Sequence, residues 1–318
     1  MIYLAYLLLA ALTVFLSVKL SYYVDCLDQK TNLSGAFIGG VLLAAVTSLP
    51  ELFTSLTAVL ALDQPNLVQG NVLGSNVFNL CIIGGLMLFT VKGYQNANIS
   101  KSHFMTLIFG LIMYACVAFG VFCPIELPLG PLTINLASVA IIVVYVISMM
   151  TMKNDDTKTE EKEEEIPLTI AQIVTRFIIC AVLLVIVSVL LTQVTDKIAA
   201  ALNLGATVAG AIFLGVATSL PELSASFNLV RIGNYNASFG NVVGSNVFNF
   251  TILAFADVLY TKGGIYMHES QTINLIVFGM LSTLFTMGVI KGQKNKVLVL
   301  VCSLLILASY VASIALSM

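Results

Sequence analysis

Long apolar runs with almost no charges occupy most of this 318-residue sequence. Each run is close to the roughly 20 apolar residues that a helix needs to cross a bilayer. The composition agrees, because 59% of the residues are hydrophobic and only 9% are charged, which is more apolar surface than one aqueous core can bury. The runs are continuous rather than alternating, so they favour helices over the strands of a membrane barrel. The sequence therefore predicts an all-α membrane protein.

Ten candidate transmembrane helices follow from the lengths of these runs. The first of them lacks the basic beginning and the small-residue cleavage site of a signal peptide, so we expect a helix there as well. The predicted spans lie near residues 2–20, 34–62, 66–90, 103–122, 129–151, 170–193, 204–230, 237–260, 271–290 and 297–317.

An acidic stretch, KNDDTKTEEKEEEIP at 153–167, separates the fifth span from the sixth. Such a dense charge run is typical of a solvated linker, and a calcium-sensing loop is the alternative. The linker divides the chain into a first half, 1–152, and a second half, 168–318, with five predicted spans in each.

Lys and Arg predict the orientation, because short loops rich in them stay cytoplasmic. When the loops alternate between two sides, nearly all of these residues share the side of the acidic linker. We therefore expect a cytoplasmic linker and both termini outside a cell membrane. Leaving out Arg176, which lies inside the sixth span, the basic residues on the linker's side are Lys19, Lys30, Lys92, Lys101, Lys153, Lys158, Lys162, Arg231, Lys291, Lys294 and Lys296, against Lys197 and Lys262 on the other.

The two halves carry the same two motifs in the same order. AAVTSLPELFTS at 44–55 matches GVATSLPELSAS at 215–226, and GNVLGSNVFNL at 70–80 matches GNVVGSNVFNF at 240–250. These are internal repeats. Five spans per half is an odd number, so the second copy enters the membrane from the opposite side. The sequence thus predicts inverted repeats that meet at the bilayer midplane, the architecture of secondary transporters.

A proline interrupts the second and seventh spans. Pro50 and Pro221 have no amide hydrogen, so the carbonyls of Val46 and Ala217 lose their usual helical donor. Irregular backbone at membrane depth is tolerated only where it lines a cavity or a site. We therefore expect broken helices at these two places, with a site between them.

A glutamate follows each proline inside the membrane. Glu51 and Glu222 indicate an ion or proton pathway, the alternative being protonated carboxyls that serve only in packing. Thr47 and Thr218 lie four residues earlier, on the same helix face as their glutamates. Oxygen ligands suit hard cations such as calcium and sodium, and neither motif contains the His or Cys that softer metals prefer.

The partner spans, the third and eighth, add neutral polar side chains that recur every four residues and so share one helix face. Glycines accompany them as GxxxG pairs, Gly70 with Gly74 and Gly240 with Gly244, which allow another helix to approach closely. Helix packing and interhelical hydrogen bonds are the alternative explanation for this pattern. The polar side chains are Asn71, Ser75 and Asn79 in the first copy and Asn241, Ser245 and Asn249 in the second.

TSLPE followed by GNxxGSNVFN, present twice in a chain with ten predicted spans, closely resembles the alpha repeats of the sodium/calcium exchangers in the cation/calcium antiporter superfamily. The resemblance implies that Glu51 and Glu222 are the central calcium ligands. It also implies a core of broken helices and their partners, across which the first and sixth spans slide. The further calcium and sodium ligands that it implies are the side chains of Thr47, Thr218, Ser48, Ser219, Ser75, Ser245, Asn79 and Asn249 and the backbone carbonyls near Ala44 and Gly215.

Two departures from the family pattern limit what the resemblance implies: the first would tighten the backbone around the site, and the second bears on the coupling ion. Val46 and Ala217 replace the glycine that commonly precedes Thr-Ser, and Asn249 stands where several relatives carry an acid. The missing acid argues against the potassium-dependent branch. The proton-coupled branch has different motifs, so sodium is favoured.

The expected function is antiport of calcium against sodium by alternating access, and not enzymatic catalysis. A proton-coupled divalent cation antiporter and a cation channel are the alternatives. Two buried carboxylates balance one calcium or two sodium ions, whereas an empty site would carry uncompensated charge through a low-dielectric barrier. An empty carrier should therefore not reorient. We expect no cofactor and no nucleic acid partner, and a chain that works as a monomer in the lipid bilayer.

Overall fold

A computed structural model describes residues 2–31, 37–61, 63, 65–129, 132–153, 167–201 and 215–316. Seven of the described helices are long and apolar enough to cross a membrane, and one bent helix pair raises the number to eight. The chain is therefore a predominantly helical, multi-pass membrane protein. Most of the acidic linker, 154–166, lies outside the described residues, as do 34–36 of the predicted second span and 204–214 of the seventh.

Every predicted span contains a helix. Leu136–Met150 is apolar but shorter than the other spanning helices, and the described part of the seventh span consists of two short pieces. The first half contains α1 (Ile2–Lys30), a π-helix (Ile38–Leu43), α2 (Ala44–Thr47), α3 (Leu49–Leu60), α4 (Pro65–Asn96), α5 (Lys101–Phe122), β1 (Glu126–Leu129), β2 (Leu132–Asn135) and α6 (Leu136–Lys153). The second half contains α7 (Ile170–Ala201), α8 (Gly215–Thr218), α9 (Leu220–Arg231), α10 (Tyr235–Leu259), α11 (Ser270–Lys291) and α12 (Lys296–Ala315).

Among the residues that the structure describes, a β-hairpin is the one departure from the all-α prediction. β1 and β2 pair antiparallel, with Glu126 opposite Asn135, so the fifth span becomes helical at Leu136 rather than near 129. An apolar run does not by itself distinguish a short strand from a helix. Pro128 lacks an amide donor, and the hairpin residues include β-branched side chains that suit a strand. Asn135 then starts α6, because its Oδ1 accepts the backbone N–H of Ala137 at 2.9 Å.

The helices α4 and α10, which carry the GNxxGSNVFN motifs, form the centre of the molecule. In their most apolar stretches 72% and 78% of the residues are buried, against 17% in α1. They pack against each other, while α1 packs against α7 and α9 at the periphery. The GNxxGSNVFN motifs therefore lie on the most buried of the described spanning helices.

Glycines allow the π-helix and α10 to approach each other too closely for a side chain to fit between them. A Cβ on Gly244 would lie 2.1 Å from the carbonyl oxygen of Gly40, and one on Gly39 would lie 2.6 Å from that of Ala237. The prediction of a close helix approach is thus confirmed at Gly244. At Gly70 no described atom outside its own stretch of helix lies within 4 Å of such a Cβ, so there the described packing does not require glycine.

Candidate ion-binding site

Each TSLPE motif forms a bend between two short helices. Ser48 has φ −88° and ψ 3°, and the segments before and after it are inclined by 42°. Pro50 lies in the first turn of α3, where a missing amide hydrogen costs no helical hydrogen bond. Ser219 repeats this conformation, with φ −89° and ψ 7°, and Pro221 lies in the first turn of α9. The predicted break is confirmed in both copies.

The two glutamates are fully buried and are bonded across the halves. The Ser48 hydroxyl donates to Oε1 of Glu222 at 3.1 Å, and the Ser219 hydroxyl donates to Oε1 of Glu51 at 3.1 Å. Each acid is therefore oriented by the serine of the other motif. The second oxygen of each carboxylate, Oε2, accepts no hydrogen bond from any described residue.

The threonines follow the same reciprocal pattern. Thr218 interacts with Glu51, Thr47 interacts with Glu222, and the two carboxylates are close enough for their charges to interact. Within the described residues, the one salt bridge is on the surface, and no cluster of three or more His, Cys, Asp or Glu is present. The described site thus contains two acids and neutral oxygens, without a bonded basic side chain.

A closed hydrogen-bond network surrounds Ala44. Its carbonyl oxygen accepts the Thr47 hydroxyl at 3.2 Å, the Ser245 hydroxyl at 3.3 Å and the backbone N–H of Ser48 at 3.1 Å. The Ser245 hydroxyl also lies 3.3 Å from that of Thr47 and 3.4 Å from Oε1 of Glu222. Four of the predicted ligands therefore lie close to Glu222: Ala44, Thr47, Ser48 and Ser245.

On α4, the residues that correspond to Ser245 and Asn249 have fewer hydrogen-bond partners. Ser75 lies near Glu51, yet its buried hydroxyl has no hydrogen-bond partner among the described residues. Neither amide atom of Asn79 has one either, and the same holds for Oδ1 of Asn249. Gly215, whose carbonyl the family resemblance implies as a ligand, is the first residue of α8 and precedes Glu222 in the chain.

Asn71 and Asn241 attach the partner helices to the broken ones. The amide nitrogen of Asn71 donates to the backbone oxygen of Glu51 at 3.3 Å and to Ser55 at 3.1 Å. That of Asn241 donates to the backbone oxygen of Glu222 at 3.3 Å and to Ser226 at 2.8 Å. These two asparagines therefore support the glutamates through backbone and serine contacts.

Two further asparagines, Asn76 and Asn246, were missed by the sequence analysis. The amide nitrogen of Asn76 donates to the backbone oxygen of Asn246 at 3.2 Å, and that of Asn246 donates to the backbone oxygen of Asn76 at 3.0 Å. Oδ1 of Asn76 also accepts the amide of Asn249 at 2.9 Å. They fall outside the four-residue spacing that selected the other polar residues. Their presence at the same place in both copies was the available signal.

The bonding state of the site suits a hard cation. Buried polar atoms in proteins are normally hydrogen-bonded, and an unpaired one is costly. Here several oxygens remain unpaired among the described residues, and they come from the two carboxylates and from neutral side chains. Calcium takes six to eight oxygen ligands, so such a cation would satisfy them together.

Known proteins resemble this chain in fold or in sequence. A structure of the sodium-calcium exchanger NCX_Mj soaked with Na⁺ and Sr²⁺ has 22% sequence identity and a TM-score of 0.72, and the match covers 99% of each chain. An uncharacterised membrane protein of Methanocaldococcus jannaschii is 26% identical over 285 residues, or 87% of both chains. The sodium/calcium exchanger MaX1 of Methanosarcina acetivorans is 25% identical over 296 residues, which cover 82% of this chain and 84% of that protein.

The family comparison covers nearly the whole chain. The sequence model of the family described as sodium/calcium exchanger protein matches residues 2–153 and 173–318, so it includes both motifs of both halves. With the membrane-spanning helices, the shared fold and the two buried acids, this match identifies the protein as a member of the sodium/calcium exchanger family.

Proposed function

We propose that this protein is a secondary active antiporter that exchanges calcium for sodium across a cell membrane by alternating access. The observation that carries the proposal is the pair of fully buried glutamates, Glu51 and Glu222, each with one carboxylate oxygen unbonded among the described residues. The names of MaX1 and NCX_Mj, and the soaking of NCX_Mj with Na⁺ and Sr²⁺, support the choice of ions.

The proposed ligands are oxygens on the broken helices and on their partners. Glu51 and Glu222 supply the charge, and hydroxyl, amide and carbonyl oxygens complete the shell. The hydroxyls of Ser48 and Ser219 donate to the carboxylates. On ion binding, these hydroxyls would turn their oxygen lone pairs to the cation. The neutral members of the proposed set are Thr47, Thr218, Ser48, Ser219, Ser75, Ser245, Asn79, Asn249 and the carbonyls of Ala44 and Gly215.

The charge of this site explains why transport would be an exchange. Two carboxylates balance one calcium ion or two sodium ions, so a loaded site is close to neutral. Moving two unbalanced charges through a low-dielectric barrier costs several kcal/mol per ion. The empty carrier therefore stays on one side, and each calcium ion released must be replaced by sodium before the site returns.

The proposed architecture is ten spans in two inverted repeats, 1–152 and 168–318. Both termini lie outside, and the linker 153–167 is cytoplasmic. During transport α1 and α7 slide across the core, and the functional unit is a monomer. The peripheral position of α1 against α7 and α9 supports this division into core and sliding parts.

Proteoliposomes test the proposal directly. Vesicles loaded with sodium and diluted into sodium-free buffer should accumulate labelled calcium above its external concentration, and E51Q vesicles should not. The resemblance implies more than two sodium ions per calcium, so a voltage imposed with potassium and valinomycin should change the uptake rate according to its sign. Uptake driven only by a pH gradient would indicate a proton-coupled antiporter. Uptake that merely equilibrates would indicate a channel.

A further inference from the structure

Asn76 on α4 forms hydrogen bonds that determine which way its side-chain amide faces. Its nitrogen donates to the backbone oxygen of Asn246, and because a backbone oxygen can only accept, the amide cannot be reversed there. Oδ1 of Asn76 must then face the other way. It accepts the amide nitrogen of Asn249 at 2.9 Å. All three side chains are buried, with Asn76 and Asn249 fully so.

The orientation of Asn249 follows from that contact. Because its nitrogen is bonded to Asn76, its Oδ1 points elsewhere, and no described residue donates to that oxygen. Asn249 is one helical turn after Ser245, which lies 3.4 Å from Oε1 of Glu222. Residues four apart share a helix face, so Asn249 lies on the same face of α10 as Ser245.

We propose that Asn76 is a positioning residue, which holds the Asn249 amide so that its oxygen, not its nitrogen, is presented to the transported ion. This inference rests on the proposed calcium and sodium exchange. An amide nitrogen turned to the cation would repel it, whereas the oxygen is a suitable ligand. Asn76 therefore acts on ion affinity through Asn249, without contacting the ion.

The first half of the molecule lacks the equivalent contact. Asn79 is the counterpart of Asn249, and Asn246 is the counterpart of Asn76. Oδ1 of Asn246 and both amide atoms of Asn79 have no hydrogen-bond partner among the described residues. Of Asn79 and Asn249, only Asn249 is therefore held by a described hydrogen bond. Asn76 and Asn246 make equivalent bonds to each other's backbone, but only Asn76 acts on a proposed ligand.

This difference supplies a matched control. N246A removes one hydrogen bond, from its side-chain amide to the backbone oxygen of Asn76, and N76A removes the equivalent bond to Asn246. N76A also removes the bond from Asn249, so it should lower thermal stability more than N246A does. Only N76A also releases Asn249. We expect N76A to weaken calcium binding about tenfold, which corresponds to roughly one ligand contact, and N246A to leave it within about twofold of wild type.

Calcium and sodium binding to the purified full chain in detergent is measured by calorimetry or by the ion-induced rise in Tm. In an N249A background, N76A should have no further effect on affinity, because its route through Asn249 is gone. If the alanine variants do not fold, the pair N76L and N246L, which keeps the branched shape of the side chain, gives the same comparison.

The outcomes separate this inference from the function on which it rests. Equal losses of calcium affinity in N76A and N246A, or additive losses in N76A and N249A, would overturn the positioning role while leaving exchange intact. A wild-type protein that binds neither calcium nor sodium would overturn both.

Discussion

The two copies of the motif differ more in bonding than in sequence. In both, the serine before the proline donates to the glutamate of the other half at 3.1 Å. Around Ala44, however, Thr47 and Ser245 are joined in a closed network, whereas Ser75 and Asn79 have no hydrogen-bond partners among the described residues. Near-identical residues thus differ in whether their neutral side chains are hydrogen-bonded, although one oxygen of each glutamate has no described partner in either copy.

This difference has an energetic consequence. An unpaired buried hydroxyl or amide costs about 1–3 kcal/mol, and an arriving ion relieves that cost. Ser75 and Asn79 should therefore gain more from ion binding, whereas the hydrogen bonds of Ser245 should contribute more to the stability of the fold. The following variants test how far the acids are equivalent and how far the neutral ligands differ.

The largest expected effect is the loss of one acid. E51Q and E222Q should each abolish calcium transport and reduce calcium affinity by roughly 100-fold or more, since about 3 kcal/mol of buried charge compensation is lost. The amide keeps the size of the side chain, so both variants should remain folded. E126Q, on the exposed β-hairpin, is the matched control and should bind calcium normally. Exchange that survives in either variant would contradict a shared central site.

Protons should compete with calcium for the same two acids. A proton on Glu51 or Glu222 removes charge that the ion needs, so apparent calcium affinity should weaken as pH falls, by up to about tenfold per pH unit for each proton displaced. Calcium binding measured from mildly alkaline to acidic pH checks this. An affinity that stays flat over that range would count against the carboxylate pair as the binding site.

Ser245 and Ser75 should separate stability from ion binding. S245A removes contacts to Ala44 and Thr47, so the ion-free protein should lose about 1 kcal/mol, or roughly 2 °C in Tm. S75A removes a hydroxyl without a described partner, so its ion-free Tm should be unchanged or higher while the calcium-induced rise in Tm becomes smaller. The same thermal profile for both variants would show that the two serines are equivalent.

A smaller effect is expected where exposed loops of the two halves meet. Lys262 lies 3.0 Å from Asp63, and its hydrogen bond lowers the pKa of that carboxyl. A lowered pKa means that the stabilisation is present above the ordinary value of about 3.9 and is lost as pH falls through the lowered value. K262M should return the Asp63 pKa towards normal, which NMR titration can follow. Because both side chains are exposed, Tm at neutral pH should change little.

Much of the candidate site could be predicted from local sequence. Pro50 and Pro221 predict bends wherever they occur in an apolar span, and a glutamate beside each bend indicates an ion pathway. The hairpin at 126–135 could not be predicted in this way, because its apolar residues satisfy a helix as well as a strand. Asn76 was missed because its role depends on Asn249, which lies 173 residues further along the chain.

The sequence by itself determined the membrane environment, the two repeats, the broken helices and the candidate ligands. These are properties of short segments: apolar length, proline chemistry and a motif that occurs twice. Only the tertiary structure decided that Ser48 bonds Glu222 and that Ser219 bonds Glu51, across separations of 174 and 168 residues. It also decided which of two similar motifs is closed by hydrogen bonds, because that depends on how the π-helix and α2 pack against α10.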